Sequence, residues 1–358
     1  MSINHLELFS GIGGFRYAME LLYRDFGVHF KHVGFSELDN NAINTYKHNF
    51  DTTNEIEIGD IVSFVNSKTE IKSLPGFNLL TGGFPCQAFS MMGKQKGFDD
   101  LRGNVFFKIL EIAKVKKPDF MLLENVKNIL THNKKETFKK ILQAIENAGY
   151  KHIYYDVFNS SDFALAQNRN RVFIFASRKK LYFNFDNKLV KQSFERVKNK
   201  TSVLKQKYTS SVVEKSVDSK YYLSEIIKPT ILSNGTKNFN SRSDIDQLIA
   251  RPLTATMAKM HRACQDNYFS DDYINAIDPI AYSQKQFTKE ELAKKNIRRI
   301  TPKEAFNLQG FDDNYFQNAK NAKISDSQLY KQAGNAVSVN TVYAILYYLF
   351  VESKVMEG

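Results

Sequence analysis

The chain has 358 residues, and its 50 Lys+Arg against 38 Asp+Glu give a formal charge of +12. With 42% hydrophobic and 25% charged residues the composition is that of an ordinary globular protein, which argues against a disordered or membrane-embedded chain. Two cysteines, Cys86 and Cys264, are too few for a disulfide framework or a cysteine-built zinc site, and no metal is expected.

The first residues, MSINHLELF, lack the basic and long apolar regions of an export signal. The longest apolar run, Thr341–Val351, is too short to cross a bilayer and reads as a buried helix. A cytoplasmic location and no membrane contact are therefore expected. The excess positive charge leaves two readings open, a polyanionic partner or a solvated basic surface.

From the start to about residue 178, short apolar runs alternate with helix-length amphipathic segments, the rhythm of a doubly wound parallel sheet. The pattern predicts strands at His5–Phe9, His32–Ser36, Glu55–Ile58, Phe77–Thr81, Phe120–Leu123, Ile153–Phe158 and Val172–Ala176. Helices are predicted near Phe15–Phe26, Asn41–Asn49, Asn104–Lys116 and Lys134–Asn147.

The character changes at Arg178. From there to Asn240, 14 Lys/Arg stand against five Asp/Glu, a local balance of +9, and no helical period is sustained. The segment reads as a separate, loop-rich module or a solvated insert. After about residue 300 the helical pattern returns, with Thr301, Pro302 and Glu304 forming a helix-start signature.

The first predicted strand runs into Ser10-Gly11-Ile12-Gly13-Gly14 and then a helix, a place for a nucleotide-type ligand. A third glycine of the dinucleotide fingerprint would fall at Arg16, so a pyrophosphate site is disfavoured. Glu37, after the second strand, can accept the two hydroxyls of a ribose. Asp60, after the third, can accept from an adenine amino group while the Ile61 amide donates to a ring nitrogen. Asp39 and Asp60 are also good helix N-caps, and that alternative stays open.

The fourth strand leads into Gly82-Gly83-Phe84-Pro85-Cys86, which presents a thiol at the carboxyl edge of the sheet rather than burying it in a strand. Residues 91–103 are polar and glycine-punctuated, the composition of a closing lid. The fifth strand ends in Glu124-Asn125-Val126, so a carboxylate that burial can keep protonated falls beside the thiol.

The runs FSGIGGF, GFPCQAFS with GKQKGF and RGN, ENV, QNRNRVF, TPKEAFNLQGF and YKQAGNAV together resemble the ordered motif series of DNA (cytosine-5)-methyltransferases, above all the bacterial modification enzymes. The six blocks span nearly the whole chain in the family's order. The resemblance implies a Rossmann-like S-adenosylmethionine-dependent methyltransferase domain, residues 1–178 plus 326–358, with a smaller, loop-rich target-recognition domain and hinge at 179–325.

By that match S-adenosylmethionine lies against Phe9, Ser10, Gly11, Ile12 and Gly13, with Glu37 at the ribose, Asp60 and Ile61 at adenine, and Leu38, Pro85 and Asn335 nearby. Leu38 stands where many relatives carry an aromatic residue. The Cys86 thiolate would attack C6 of cytosine, Glu124 would hold the ring N3 proton, Arg169 would reach O2, and Arg171 would orient Glu124 or the loop. The cytosine would be flipped out of double-stranded DNA, with Gln87, Ser90, Met91, Met92, Asn125 and Thr256 about the flipped nucleotide. Thr256 belongs to Arg251–Thr256, which resembles the family's recognition-region motif, and His261, Arg262 and Gln265 are candidates for base edges.

The resemblance further implies a monomer near the bacterial nucleoid and a cognate restriction endonuclease sharing its recognition sequence. A tRNA cytosine-5 methyltransferase is the alternative within this chemistry, and the long basic segment favours DNA. An inactive DNA-binding homologue is disfavoured by the intact Cys86 and Glu124.

Overall fold

A computed structural model describes residues 2–85, 105–233, 235–236, 239–240, 244–257, 259, 261–262 and 264–356. The chain divides into two compact units, one of Met1–Asn159, Asn170–Val203 and Thr341–Gly358, the other of Ser160–Arg169 and Leu204–Asn340.

The first unit is built on a seven-stranded sheet of order β3-β2-β1-β4-β5-β7-β6. Its strands are β1 Ser2–Leu8, β2 His29–Ser36, β3 Ile56–Glu57, β4 Leu79–Gly83, β5 Phe120–Val126, β6 His152–Asn159 and β7 Asn170–Ser177. All seven predicted strands are present. The expectation of a wholly parallel sheet needs correcting, because β7 runs antiparallel to both β5 and β6. Hydrophobic periodicity sets which face of a strand is buried and carries no information about its direction.

One sheet face packs Leu6, Leu8, Leu80, Met121 and Leu123 into a core shared with Ile109, Ile112, Ile141 and Ile145 from the helices Val105–Lys116 and Glu136–Asn147. On the other face Phe350 meets Phe30 and Phe120 at ring-centroid distances of 5.7 and 6.4 Å. The apolar run at the C-terminus is the expected buried helix, with Val342 to Leu346 at 0% exposure.

Successive crossovers place β2 and β3 on one side of β1 and β4 and β5 on the other, so the chain reverses its winding between β1 and β4. Such a switch point opens a crevice at the carboxyl ends of the strands. Both sequence-predicted loops, the one after β1 and the one leading to Cys86, leave the sheet there.

The basic segment is not one separate module. Residues 178–203 belong to the first unit and include the helix Asn187–Val197, capped by Asp186, whose carboxylate accepts from Leu189 N at 2.8 Å. The second unit also reaches back to residues 160–169 and forward to 340, beyond the expected 179–325. The reason is main-chain pairing: Asn168 N donates to Ala250 O at 2.9 Å and Ala250 N to Ala166 O at 2.8 Å. Within this unit the predicted helix start is a full capping box, Thr301 with Glu304, on Pro302–Leu308. Glu304 also meets Arg298 as a fully buried ion pair at 2.7 Å.

Candidate active site

The glycine loop is shaped by backbone geometry. Phe9, Gly11 and Gly13 lie in the left-handed region at φ 55°, 54° and 83°. Gly13 is the position only glycine can fill: a Cβ there would sit 2.3 Å from Phe50 Cε2 and 2.9 Å from Tyr46 Cε2. Gly13 also caps helix α1, Gly14–Phe26, without a side-chain hydrogen bond, so no side chain at the cap competes for the first-turn amides, which can serve as donors for a carboxylate. Gly13→Ala should lower thermal stability by about 1–3 kcal/mol, through strain and overpacking, and weaken cofactor affinity in a titration.

The strand ends are stitched together. Ser10 N donates to Ser36 O at 2.9 Å, Ile58 N to Phe35 O at 2.8 Å, and Ser36 Oγ to Gly59 O at 2.7 Å. Glu37 bridges two loops: its Oε2 accepts from Gly11 N at 2.8 Å and its Oε1 from Leu38 N and Asp39 N at 2.8 and 2.9 Å. Carboxylate oxygens have about four lone-pair sites in all, so beyond these three bonds Glu37 keeps capacity for about one ribose hydroxyl. Leu38 is exposed beside it.

Asp39 and Asp60 are both N-caps, of α2 Asn40–Asn49 and α3 Ile61–Val65, so the capping alternative is realised. Hydrogen bonds from the Ser63 hydroxyl and the Val62 amide hold the Asp60 carboxyl below its ordinary range, so it is an anionic acceptor at neutral pH. Ser10 Oγ, buried and without a partner among the described residues, is one more polar atom in this loop for a ligand to satisfy.

Beneath the loop lies a buried polar cluster that motif reading missed. Arg16 donates to Glu55 Oε1 at 2.6 Å, to Asp51 O at 2.9 Å and to the Tyr46 hydroxyl at 3.3 Å, and Tyr46 donates to Glu7 Oε2 at 3.2 Å. Burial pushes the Glu7 carboxyl up to about 8 despite the nearby Arg16 charge. Alongside, His5 bonds His32 at 2.9 Å and Thr81 at 2.8 Å, and burial lowers its pKa to about 3, keeping it neutral. The signal was present: two ionisable residues alternate with leucines in HLEL, on a strand otherwise read as core.

The second corner of the crevice joins β4 to β5. Gly83 pairs in register with Glu124, and Asn125 Nδ2 donates to Phe84 O at 2.8 Å, which ties the ENV segment to the approach to Cys86. Glu124 is 8% exposed, and its Oε1 accepts from Arg171 Nε at 2.8 Å. Pro85 is exposed at the edge of the described residues. Cys86, Gln87, Ser90, Met91 and Met92 lie outside them, as does the predicted lid.

Arg169 and Arg171 separate. Arg171 stands on β7 and pairs with Glu124, whereas Arg169 belongs to the second unit. There its guanidinium, 3% exposed, donates to Leu253 O at 2.9 Å, Gly334 O at 3.0 Å and Ala336 O at 2.8 Å. It thus gathers three of the recognised segments: QNRNR, RPLTAT and AGNAV. Gly334 packs so closely on the second of these that a Cβ would fall 2.2 Å from Thr254 C.

Asn335 and Thr256 are exposed on the same unit. Arg262 is spent internally, donating to Thr254 Oγ1 at 2.9 Å and pairing with Asp266 at 3.4 Å. Arg169→Met should strand three carbonyls and lower thermal stability by several kcal/mol, at about 1–3 kcal/mol per orphaned group. A residue that only touched substrate would leave the unfolding temperature unchanged.

The family description "C-5 cytosine-specific DNA methylase" matches residues 3–350. The Type II methyltransferase M1.ScrFI of Lactococcus lactis subsp. cremoris is 35% identical over 340 residues, covering 95% of this chain and 76% of that protein. The Type II methyltransferase M.NlaX of Neisseria lactamica is 32% identical, covering 95% of this chain and 94% of that one. Among solved structures, an Entamoeba histolytica methyltransferase, EhMeth, superposes with a TM-score of 0.72 at 21% identity, covering 98% of this chain and 99% of that chain. The S. pombe Dnmt2 methyltransferase has a TM-score of 0.72 at 19% identity, with 98% of each chain covered. At that identity these structures speak for the fold.

Proposed function

The chain belongs to the C-5 cytosine-specific DNA methylases, with the Type II methyltransferases of restriction-modification systems among its relatives, and from that premise we propose how its own residues carry out the reaction. The enzyme is a DNA (cytosine-5)-methyltransferase of the restriction-modification type. The observation that carries the mechanism is the Arg171–Glu124 pair at 2.8 Å, one strand from the turn that leads to Cys86 and beside the glycine loop at the switch point.

S-adenosylmethionine, when bound, supplies an electrophilic sulfonium methyl group. The residues at the crevice fit its polar groups: α1 amides for the methionine carboxylate, Glu37 for the ribose, and Asp60 with the Ile61 amide for adenine. The absence of a pyrophosphate cradle agrees with a cofactor that has no phosphates.

Cytosine C5 is too weak a nucleophile to take a methyl group unaided. The Cys86 thiolate adds to C6 and forms a C–S bond, while the C5=C6 π pair moves to C5. Glu124 holds the proton at N3 and accepts from the exocyclic amino group, so the charge that accumulates on the ring is stabilised, and Arg171 fixes the carboxyl in that orientation. Once C5 carries the methyl group, a water or hydroxide removes the C5 proton. The C–H pair re-forms C5=C6 and the thiolate leaves. Because C6 is covered in stacked duplex DNA, the target base is flipped out before attack.

The second unit, with Thr256, His261 and Gln265, is the DNA-reading lobe, and basic residues of 178–240 on both units supply phosphate contacts. Such binding releases counterions, so log affinity should fall linearly with log salt, by a slope of about −0.9 per phosphate neutralised, in a fluorescence titration from 50 to 200 mM salt. We place the enzyme in the bacterial cytoplasm at the nucleoid, acting as a monomer, with an endonuclease of the same specificity as its partner in restriction. Labelled methyl transfer from S-adenosylmethionine tests the substrate: plasmid DNA should be labelled and tRNA should not. Bisulfite sequencing of that plasmid then reads the target site.

A further inference from the structure

Within the second unit, Tyr268–Ser270 and Ile297–Arg299 form a two-stranded antiparallel ribbon in which Arg299 lies opposite Tyr268. Its neighbour Arg298 is fully buried and bidentate on Glu304 at 2.7 and 3.0 Å. Arg299 is different: it is half-buried and makes no ion pair or side-chain hydrogen bond among the described residues. It lines a cleft together with Thr254, Gln265, Asp266, Tyr268 and Tyr330.

Among the described residues nothing in that cleft neutralises the guanidinium. The Asp266 carboxylate is buried and already accepts from the Arg262 amide at 3.0 Å and its guanidinium at 3.4 Å. The Tyr268 hydroxyl meets His261 Nδ1 at 3.3 Å, and Tyr330 donates to Ile300 O at 2.5 Å. A half-buried cation without a counter-charge is costly, and the cost is recovered when an acceptor arrives. The free space of about 10 Å³ admits a water and no base, so the acceptor approaches at the mouth of the cleft.

Thr254, in the segment that resembles the recognition motif, and exposed Gln265 line the same cleft as Arg299. Arginine's planar fork matches guanine O6/N7 as well as phosphate, whereas glutamine's amide, which matches adenine N6/N7, carries no charge for a phosphate, so the two on one cleft favour base edges. Building on the reading of this unit as the DNA-binding lobe, we infer that Arg299 reads a guanine in the recognition sequence through paired hydrogen bonds in the major groove.

The test uses the full-length enzyme and its Arg299→Gln and Arg299→Lys variants on plasmid DNA. Bisulfite sequencing at limiting enzyme and salt-dependent DNA binding are measured for each, with thermal unfolding as the check that the fold is kept. In both variants, discrimination for guanine at one fixed position should fall about 5- to 150-fold while other positions keep theirs, and the salt slope should not change. Loss of activity spread evenly over all sites, with a salt slope smaller by about one and recovery in Arg299→Lys, would overturn the inference in favour of a phosphate contact. An unchanged sequence profile in both variants would overturn it as well. A wild-type enzyme that methylates no DNA would instead remove the DNA reading on which it rests.

Discussion

Cys86→Ala should abolish methyl transfer to cytosine, by on the order of 10⁴-fold or more, while binding of duplex DNA survives within a few-fold. The size of the effect follows from the role of the thiolate. Without a bond to C6 the π pair is never delivered to C5. DNA affinity rests mainly on phosphate contacts, which the loss of one thiol does not alter. Filter binding and labelled methyl transfer on the same preparation separate the two. Retained activity would remove Cys86 from the mechanism, and loss of DNA binding together with activity would mark a folding defect.

Glu124→Gln should lower the rate about 10²- to 10⁴-fold, with little change in DNA or cofactor affinity. Glutamine keeps the shape of the carboxyl but can neither hold the N3 proton as a carboxyl does nor match the Arg171 charge. The change leaves Arg171 half-buried opposite a neutral amide, so part of the loss is positional. Arg171→Lys separates these parts: it keeps the positive charge opposite Glu124 but not the planar Nε donor at 2.8 Å, and it should cost rate more than stability. Single-turnover methylation at saturating DNA, set against equilibrium cofactor titration, gives the split. A Glu124→Gln enzyme with unchanged single-turnover rate would show that the carboxyl is structural.

Much of this was legible in the sequence because the sheet is buried on both faces. Its strands therefore read as short apolar runs, and all seven fall where the pattern put them. The direction of β7 was not legible, since a run such as RVFIFAS has the same face pattern whichever way it is threaded. The helix Asn187–Val197 was missed in a lysine-rich stretch where only Val190, Ser193 and Phe194 are buried, too short an apolar stripe to stand out against the charge.

The site divides in the same way. The glycine loop, Glu37, Asp60 and Glu124 fall at strand ends in register, and register follows from local pattern. The division of labour between Arg169 and Arg171 does not. The two residues are only two positions apart, yet Arg169 precedes β7 and turns to carbonyls of the second unit, while Arg171 stands on β7 against Glu124. Only the tertiary partners distinguish them. The Glu7–Tyr46–Arg16–Glu55 cluster was hidden for a related reason: its members lie on four different segments and none of them belongs to a motif.

The central claim is that Cys86 bonds covalently to C6 during turnover. A duplex made by amplification with 5-fluorodeoxycytidine triphosphate tests it, because fluorine at C5 blocks the proton removal that would release the enzyme. Incubation with this duplex and S-adenosylmethionine should give a denaturant-stable complex whose nucleotide-bearing peptide, after digestion and mass spectrometry, contains Cys86. Absence of such a complex, attachment at Cys264, or its persistence in Cys86→Ala would contradict the mechanism.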